Sequence, residues 1–275
     1  MKIIAFDLDG TALAKHTYIS EKNKKAFQKA QAQGVMLIPA TGRIRSFVPK
    51  AVFDIGKIRY LIASNGAEIY DCVAQKTIYT NPLQIETAQD VIHYLHEQNV
   101  YFEIYLQGEA YAEEANHEEM LRNFRLLGLS KEQVFFLNKK FVFTENFLTL
   151  LKEKNIPPEK INIPYVTPEK RAELYQGLQE IGQMQLTSSL PNNMEANHIT
   201  ANKGSALKFL AEYLRIPTNE IMAIGDNGND LEMLQYAGIS VAMGNGTEAA
   251  KSAATYITGN CEADGVAEAI LGFLN

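Results

Sequence analysis

Short runs of consecutive apolar residues recur in the first and last parts of the chain, and they constrain the fold more than any other feature. The first run, Ile3 to Phe6, is followed by a helix-like segment, 21–33, which Ser20 precedes as the predicted N-cap. A strand that is apolar at every position is typical of a parallel sheet covered by helices on both faces. The same pattern returns at 35–38, 60–63, 221–224 and 239–243. Strands that alternate with helices predict an α/β fold with a parallel, doubly wound sheet.

The pattern changes between about residues 83 and 190. Apolar residues there lie on one side of helical segments, and the strand-like segment 101–107 alternates instead of running apolar throughout. Alternation is typical of an antiparallel sheet with one covered face. A chain of 275 residues is long enough for two domains. We therefore predict a core formed by 1–82 and 191–275, with an α+β domain inserted at 83–190.

Net charge, cysteine content and hydropathy limit the partners and the cellular compartment that we expect for this protein. The net charge is −6 and the pI is near 5.5, so the protein has no overall positive field for a nucleic acid. Two cysteines are too few for a disulfide framework, which favours a reducing cytoplasm. The sequence shows no signal-peptide pattern and no apolar stretch long enough to span a membrane, so we expect no membrane partner.

The functional residues should follow the apolar runs, because ligands of open α/β sheets bind at the carboxyl ends of the strands. Asp7 and Asp9 follow the first run and point to the same side, since side chains alternate along an extended chain. Two close carboxylates repel each other unless a proton or cation lies between them. A hard divalent ion such as Mg²⁺, which prefers oxygen ligands, would remove that repulsion.

Two further segments carry polar residues suited to a phosphate, and a third adds carboxylates that would share a metal with the first site. Thr41, Gly42 and Arg43 offer a hydroxyl, close backbone approach and a guanidinium, and Lys203 begins a helix whose free N–H groups favour an anion. The segment 225–230 adds the carboxylates of Asp226 and Asp230. Each feature alone is more simply a turn or a solvated side chain, so the prediction of a site depends on their occurrence together.

In this order the residues resemble the haloacid dehalogenase superfamily. Its four motifs correspond here to 7–11, Thr41, Lys203 and 225–230. The segments 64–67, 241–245 and 264–267, together with Glu195, resemble its Cof-type branch. That branch has a Rossmann-like core and carries its cap domain between the second and third motifs, where this chain has room for the predicted insert.

The resemblance implies a Mg²⁺-dependent phosphatase that acts on small phosphomonoesters through an aspartyl-phosphate. Asp7 would be the nucleophile, and Asp9 would be the general acid and then the general base. The metal would be held by Asp7, Asp9, Asp226 and Asp230. The phosphoryl oxygens would be bound by Leu8, Thr41, Gly42, Lys203 and Asn229, and Arg43 is a candidate phosphate or substrate contact.

Several alternatives stay open. A phosphomutase of the same superfamily would transfer the phosphoryl group to a sugar, and a receiver-type phosphoacceptor module would not turn over. The alternating strand has a polar side formed by Tyr101, Glu103 and Tyr105. This side would either face the substrate or be an ordinary solvated face. Sugar phosphates, nucleotide-derived phosphates and phosphorylated cofactors all fit, and the sequence does not indicate the oligomeric state.

Overall fold

A computed structural model describes residues 1–14, 17–188 and 192–274. It divides the chain into two compact units. The core unit comprises Met1–Arg43, Val48–Thr80 and Asn202–Asn275, and the insert unit comprises Ile44–Phe47 and Asn81–Ala201.

The strands among the described residues are, in chain order, β1 (Ile3–Phe6), β2 (Met36–Pro39), β3 (Tyr60–Ala63), β4 (Glu68–Asp71), β5 (Lys76–Thr80), β6 (Glu103–Leu106), β7 (Glu109–Glu113), β8 (Phe141–Thr144), β9 (Lys160–Ile163), β10 (Met184–Thr187), β11 (Met194–His198), β12 (Ile221–Gly225), β13 (Ile239–Ala242) and β14 (Tyr256–Ile257).

The α-helices of the same residues are α1 (Glu21–Ala32), α2 (Lys50–Phe53), α3 (Ile85–Glu97), α4 (His117–Leu126), α5 (Lys131–Asn138), α6 (Phe147–Lys154), α7 (Pro168–Ile181), α8 (Lys203–Leu214), α9 (Leu231–Tyr236), α10 (Glu248–Ala253) and α11 (Gly265–Phe273).

The core unit is built on a five-stranded sheet in the order β14-β13-β12-β1-β2, and every pairing in it is parallel. Alternate residues of β1 enter two apolar clusters. Phe6 packs against Phe27 of α1, with ring centroids 4.6 Å apart, whereas Ile3 shares a cluster with Leu207 of α8. Helices therefore cover both faces of the sheet, which confirms the predicted α/β class and explains why β1 is apolar throughout.

The third apolar run lies beside β2 in the predicted parallel direction, but among the described residues it is joined there by one bridge, between Ile62 and Ala40 directly after β2. Its full pairing is antiparallel with β4, which pairs antiparallel with β5, so these strands form a separate three-stranded sheet. The chain reverses after Ala63 through residues in left-handed conformations. A buried four-residue apolar run has the same composition in either strand direction, so the turn that follows decides the pairing.

The insert unit contains a six-stranded sheet in the order β10-β11-β9-β6-β7-β8. Its pairings are antiparallel except for β7 with β8. One apolar cluster joins Phe102 and Ile104 to α3, α6 and α7, and α3 buries the stripe predicted for it. The other face contributes Tyr101 and Tyr105 to a second cluster that includes Phe124 of α4.

The limits of the insert differ from the prediction of 83–190. Residue 190 lies outside the described residues, but β11, which the prediction assigned to the core segment 191–275, pairs with β10 and β9. Met194 and Ala196 belong to the apolar cluster of the insert unit. Glu195, whose position resembled part of the core, therefore lies in the insert sheet.

Candidate active site

The candidate site lies at the carboxyl ends of β1 and β12, which are neighbours in the parallel sheet. Asp7 follows β1, and its backbone N–H donates to Ile224 O at 2.9 Å. Asp226 follows β12, and Asp230 lies four residues further on. One carboxylate oxygen from each of these three aspartates lies within 4.8 Å of the others. The strand register thus brings together carboxylates more than 200 positions apart in the sequence.

Lys203 lies among these carboxylates at the first position of α8. Its Nζ donates to Asp7 Oδ1 at 2.5 Å and to Asp230 Oδ1 at 2.7 Å, and its side chain is fully buried. Burial alone would lower the pKa of Lys203, but the two carboxylates outweigh it and raise this pKa. Lys203 is therefore a permanently charged counter-ion inside the core unit.

The single positive charge of Lys203 does not neutralise all three carboxyl groups. Burial raises the pKa of Asp7 well above its usual range despite the opposing effect of Lys203. Burial and the nearby Asp230 raise the pKa of Asp226 to about 6. A divalent cation would reverse both shifts, because it favours the ionised carboxylates that burial disfavours. The donor set of Asp7 and Asp226 fits a hard, oxygen-preferring ion.

Asp230 supports this arrangement through its second oxygen. Its Oδ2 accepts hydrogen bonds from the backbone N–H groups of Asp226 at 2.9 Å and Asn227 at 3.1 Å. Both of its oxygens therefore have protein donors, since Oδ1 accepts from Lys203. The carboxylate of Asp230 fixes the loop that presents Asp226.

Asp9 forms a two-point ion pair with Arg43. The guanidinium donates from Nε to Oδ2 at 2.7 Å and from Nη2 to Oδ1 at 2.6 Å. Both side chains are less than one quarter exposed. The sequence suggested a phosphate or substrate contact for Arg43, and the structure places its guanidinium on Asp9.

The predicted phosphate-binding residues occupy the neighbouring loops of the core unit. Thr41 is fully buried, and its Oγ1 accepts the backbone N–H of Arg43 at 3.1 Å, across Gly42. Leu8 is also buried, and its carbonyl accepts the backbone N–H of Leu13 at 2.8 Å. Asn229 donates from Nδ2 to Asn65 Oδ1 at 3.1 Å.

Three polar residues of the motif segments, to which the sequence assigned no individual role, hold these loops. Thr11 donates to Asp226 Oδ1 at 2.7 Å, and Asn245 donates to the Gly10 carbonyl at 2.8 Å. Gly10 has a φ of +81°, and a Cβ there would lie 2.4 Å from Asp226 Oδ2, so only glycine fits. Asn65 is the third. It lies two residues after an apolar run, a position close to that of Asp7 after β1.

In the insert unit, Tyr101, Glu103 and Tyr105 are buried, so the alternative of a solvated sheet face is wrong. Glu103 accepts hydrogen bonds from Tyr101 Oη at 3.2 Å, Tyr105 Oη at 2.9 Å and Asn162 Nδ2 at 2.9 Å. Burial raises the pKa of Glu103, although these bonds oppose the shift.

Comparisons with known proteins agree with this geometry. The chain belongs to the haloacid dehalogenase-like hydrolases, whose family model matches residues 4–270. It is 32% identical to the phosphatase YwpJ of Bacillus subtilis, with 97% of this chain and 98% of that protein covered. It is 29% identical to a second Bacillus subtilis protein, the 5-amino-6-(5-phospho-D-ribitylamino)uracil phosphatase YcsE, with 98% and 94% covered.

A solved structure of a haloacid dehalogenase-like hydrolase from Bacillus subtilis superposes on the chain with a TM-score of 0.84, at 30% identity and with 100% of both chains covered. The protein is thus an enzyme of this family, a phosphoester hydrolase. Among the described residues, no helix has both the length and the apolar character needed to cross a membrane.

Proposed function

We propose that the protein hydrolyses small phosphomonoesters through a covalent phosphoryl intermediate on Asp7, with Mg²⁺ as its cofactor. The observation that carries this proposal is the cluster of three carboxylates at the ends of two parallel strands, in which the buried Lys203 pairs with the buried Asp7 and Asp230 and the partly buried Asp226 lies beside them. A buried nucleophile with a fixed cation beside it suits attack on a negatively charged phosphoryl group.

The carboxylates of Asp7 and Asp226 and the backbone carbonyl of Asp9 would hold the ion, with Asp230 supporting them. When bound, Mg²⁺ would neutralise charge on the phosphoryl oxygens and on the crowded carboxylates.

In the first step, a carboxylate oxygen of Asp7 forms a bond to phosphorus while the bond from phosphorus to the leaving oxygen breaks. Asp9 gives its proton to that oxygen, and the alcohol departs. In the second step, Asp9 takes a proton from water, the resulting hydroxide attacks phosphorus, and the bond to Asp7 breaks. Inorganic phosphate is released and both aspartates return to their starting states.

The transferred group needs donors for its three equatorial oxygens. Lys203 supplies one charged donor, and the Thr41 hydroxyl and the Asn229 amide are neutral ones. The backbone N–H groups of Leu8 and Gly42 complete the proposed set.

The leaving group is proposed to be a small polyhydroxylated molecule selected with the help of the insert unit. We propose that this selection involves Tyr101, Glu103 and Tyr105, whose hydroxyl and carboxyl groups have the matching chemistry but are buried and bonded to one another in this structure. A relative, YcsE, is named for a substrate with phosphate on a ribityl chain, which supports this class. Both cysteines of the chain are free thiols, which supports a reducing, cytoplasmic location.

The test is phosphate release from an aryl phosphate and a panel of sugar and polyol phosphates, with and without Mg²⁺, for the wild type and Asp7→Asn. Catalytic release that needs Mg²⁺ and is lost in Asp7→Asn supports the proposal. Stoichiometric labelling without turnover would indicate a receiver-type module. Phosphoryl transfer to an added sugar in place of water would indicate the phosphomutase alternative.

A further inference from the structure

The turn after β3 has a backbone conformation that ordinary side chains rarely adopt. Ser64, Asn65 and Gly66 have φ angles of +50°, +56° and +90°, three left-handed residues in succession. Left-handed conformations are unfavourable for residues other than glycine, asparagine and aspartate, so Ser64 is the strained residue of the three, and such strain tends to persist where the surrounding structure holds it. The turn is buried, since Ser64 and Asn65 are 0% and 2% exposed.

The backbone of this turn holds the loop that follows β2. The N–H of Ser64 donates to Arg43 O at 2.9 Å, and the N–H of Asn65 donates to Thr41 O at 3.0 Å. The loop fixed in this way carries Thr41, whose hydroxyl is proposed to bind phosphate, and Arg43, which pairs with Asp9.

The same turn lies against the start of α8. A Cβ on Gly66 would come within 2.2 Å of Asn202 O and 3.1 Å of Lys203 N. This close approach is possible only for glycine, so the turn also limits where the first residue of α8, Lys203, can lie.

The side chain of Asn65 reaches a third loop. Its Oδ1 accepts a hydrogen bond of 3.1 Å from Nδ2 of Asn229, a residue 164 positions away. An amide nitrogen carries two N–H groups in a fixed plane, so a bond to one of them sets the direction of the other. With one N–H held by Asn65, the amide of Asn229 cannot rotate freely.

We propose that Asn65 is a positioning residue that holds the amide of Asn229 in the direction needed to donate to a phosphoryl oxygen. The inference depends on the proposed function, because it assigns a purpose to the orientation of one of the proposed phosphate-binding groups. Asn65 acts through Asn229 and does not itself contact the transferred group.

The variant Asn65→Gly separates this role from folding. Glycine adopts the left-handed conformation without strain, so the turn should still form in this variant, although loss of the buried amide lowers the melting temperature, and the acceptor for Asn229 is lost. We expect kcat/KM to fall about tenfold, because a donor that is free to rotate stabilises the transition state less well. Asn65→Asp keeps an oxygen acceptor and tolerates the left-handed backbone, and it should restore part of the loss.

Gln75→Gly is a matched control, since Gln75 has a φ of +51° in an exposed turn between β4 and β5. It should leave kcat/KM unchanged. The decisive measurement is a double-mutant cycle with Asn229→Ala: if Asn65 acts through Asn229, adding Asn65→Gly to that variant should lower kcat/KM no further.

Wild-type kcat/KM in Asn65→Gly, or losses that multiply in the double variant, would overturn the inference. Turnover by the wild type and its loss in Asp7→Asn test the proposed function separately. If the wild type turns over no substrate in the panel, the same cycle is measured on the affinity for inorganic phosphate by calorimetry, with the same expected pattern.

Discussion

Arg43 contacts both carboxylate oxygens of Asp9, at 2.7 and 2.6 Å, in the paired geometry that a guanidinium forms with a carboxylate. This arrangement fixes the direction of the Asp9 side chain, and it also stabilises the charged carboxylate. A general acid must instead carry a proton when the leaving oxygen departs. We therefore expect the ion pair to loosen during the first step and to orient Asp9 as a base during the second.

The Arg43→Lys variant tests whether Arg43 orients Asp9, because its effect on the rate should depend on the leaving group of the substrate. Lysine keeps the charge but loses the two-point contact, so Asp9 would be held less precisely. We expect kcat to fall about tenfold for alkyl phosphates, which need a proton on the leaving oxygen, and much less for an aryl phosphate. Arg45→Lys, which alters the next arginine along the chain, is the matched control. An equal loss on both substrate types would argue against an effect on Asp9.

Without metal, the stability of the folded protein should depend on pH. The raised pKa values of Asp7 and Asp226 determine the sign of this dependence. The native protein holds protons on Asp7 and Asp226 that the unfolded chain releases, so stability of the metal-free protein falls as pH rises from about 4 towards the Asp226 pKa of about 6. Below about pH 4 the ionisation of Asp226 does not destabilise the folded protein. Above about pH 6 this destabilisation is complete.

Because Mg²⁺ binds the ionised carboxylates, its stabilising effect should be larger at about pH 7.5 than at about pH 5. Melting curves in EDTA and in excess Mg²⁺ at the two pH values measure the difference. Asp226→Asn should reduce the shift caused by Mg²⁺ at the higher pH. A shift of equal size at both pH values would contradict the assignment of the metal to these carboxylates.

Much of the core unit follows from its sequence, because a strand that is apolar at every position has to be covered on both faces. β1 and β12 are such strands, and the polar residues after them meet at one edge of the sheet because parallel neighbours end together. The meeting of Asp7 and Asp226 could therefore be predicted without coordinates, and Lys203 is predicted from a different signal, its place at the start of a helix.

Other relationships depend on side-chain positions that no local pattern encodes. The pairing of Arg43 with Asp9 and the bond from Asn229 to Asn65 join residues of different loops. The alternation at 101–107 separates two faces of β6 but does not indicate what covers each one, so the burial of Glu103 could not be foreseen.

Removing the buried cation at Lys203 should destabilise the protein strongly. Lys203→Met leaves the carboxylates of Asp7 and Asp230 without their counter-ion, and the loss of one partner from a buried ion pair costs about 3–5 kcal/mol. The loss should be smaller at about pH 5, where Asp7 is more fully protonated. Urea denaturation measures both values. Lys208→Met, on the exposed side of α8, should change stability by less than about 0.5 kcal/mol.

Glu103 offers a test of whether the insert unit selects the leaving group. Glu103→Ala leaves the hydroxyls of Tyr101 and Tyr105 and the amide of Asn162 without their shared acceptor, and each buried unsatisfied group costs about 1–3 kcal/mol. Glu103→Gln keeps the shape and one oxygen acceptor, so it should fold more stably than the alanine variant.

If this face contacts the leaving group, Glu103→Gln should change the relative kcat/KM values across a panel of sugar, polyol and aryl phosphates, with the polyhydroxylated substrates losing most. Glu109→Gln, an exposed position on β7, should preserve the wild-type ranking. A ranking that survives Glu103→Gln would show that the buried carboxyl only holds its two tyrosines and Asn162 in place, and that selection of the substrate depends on other residues.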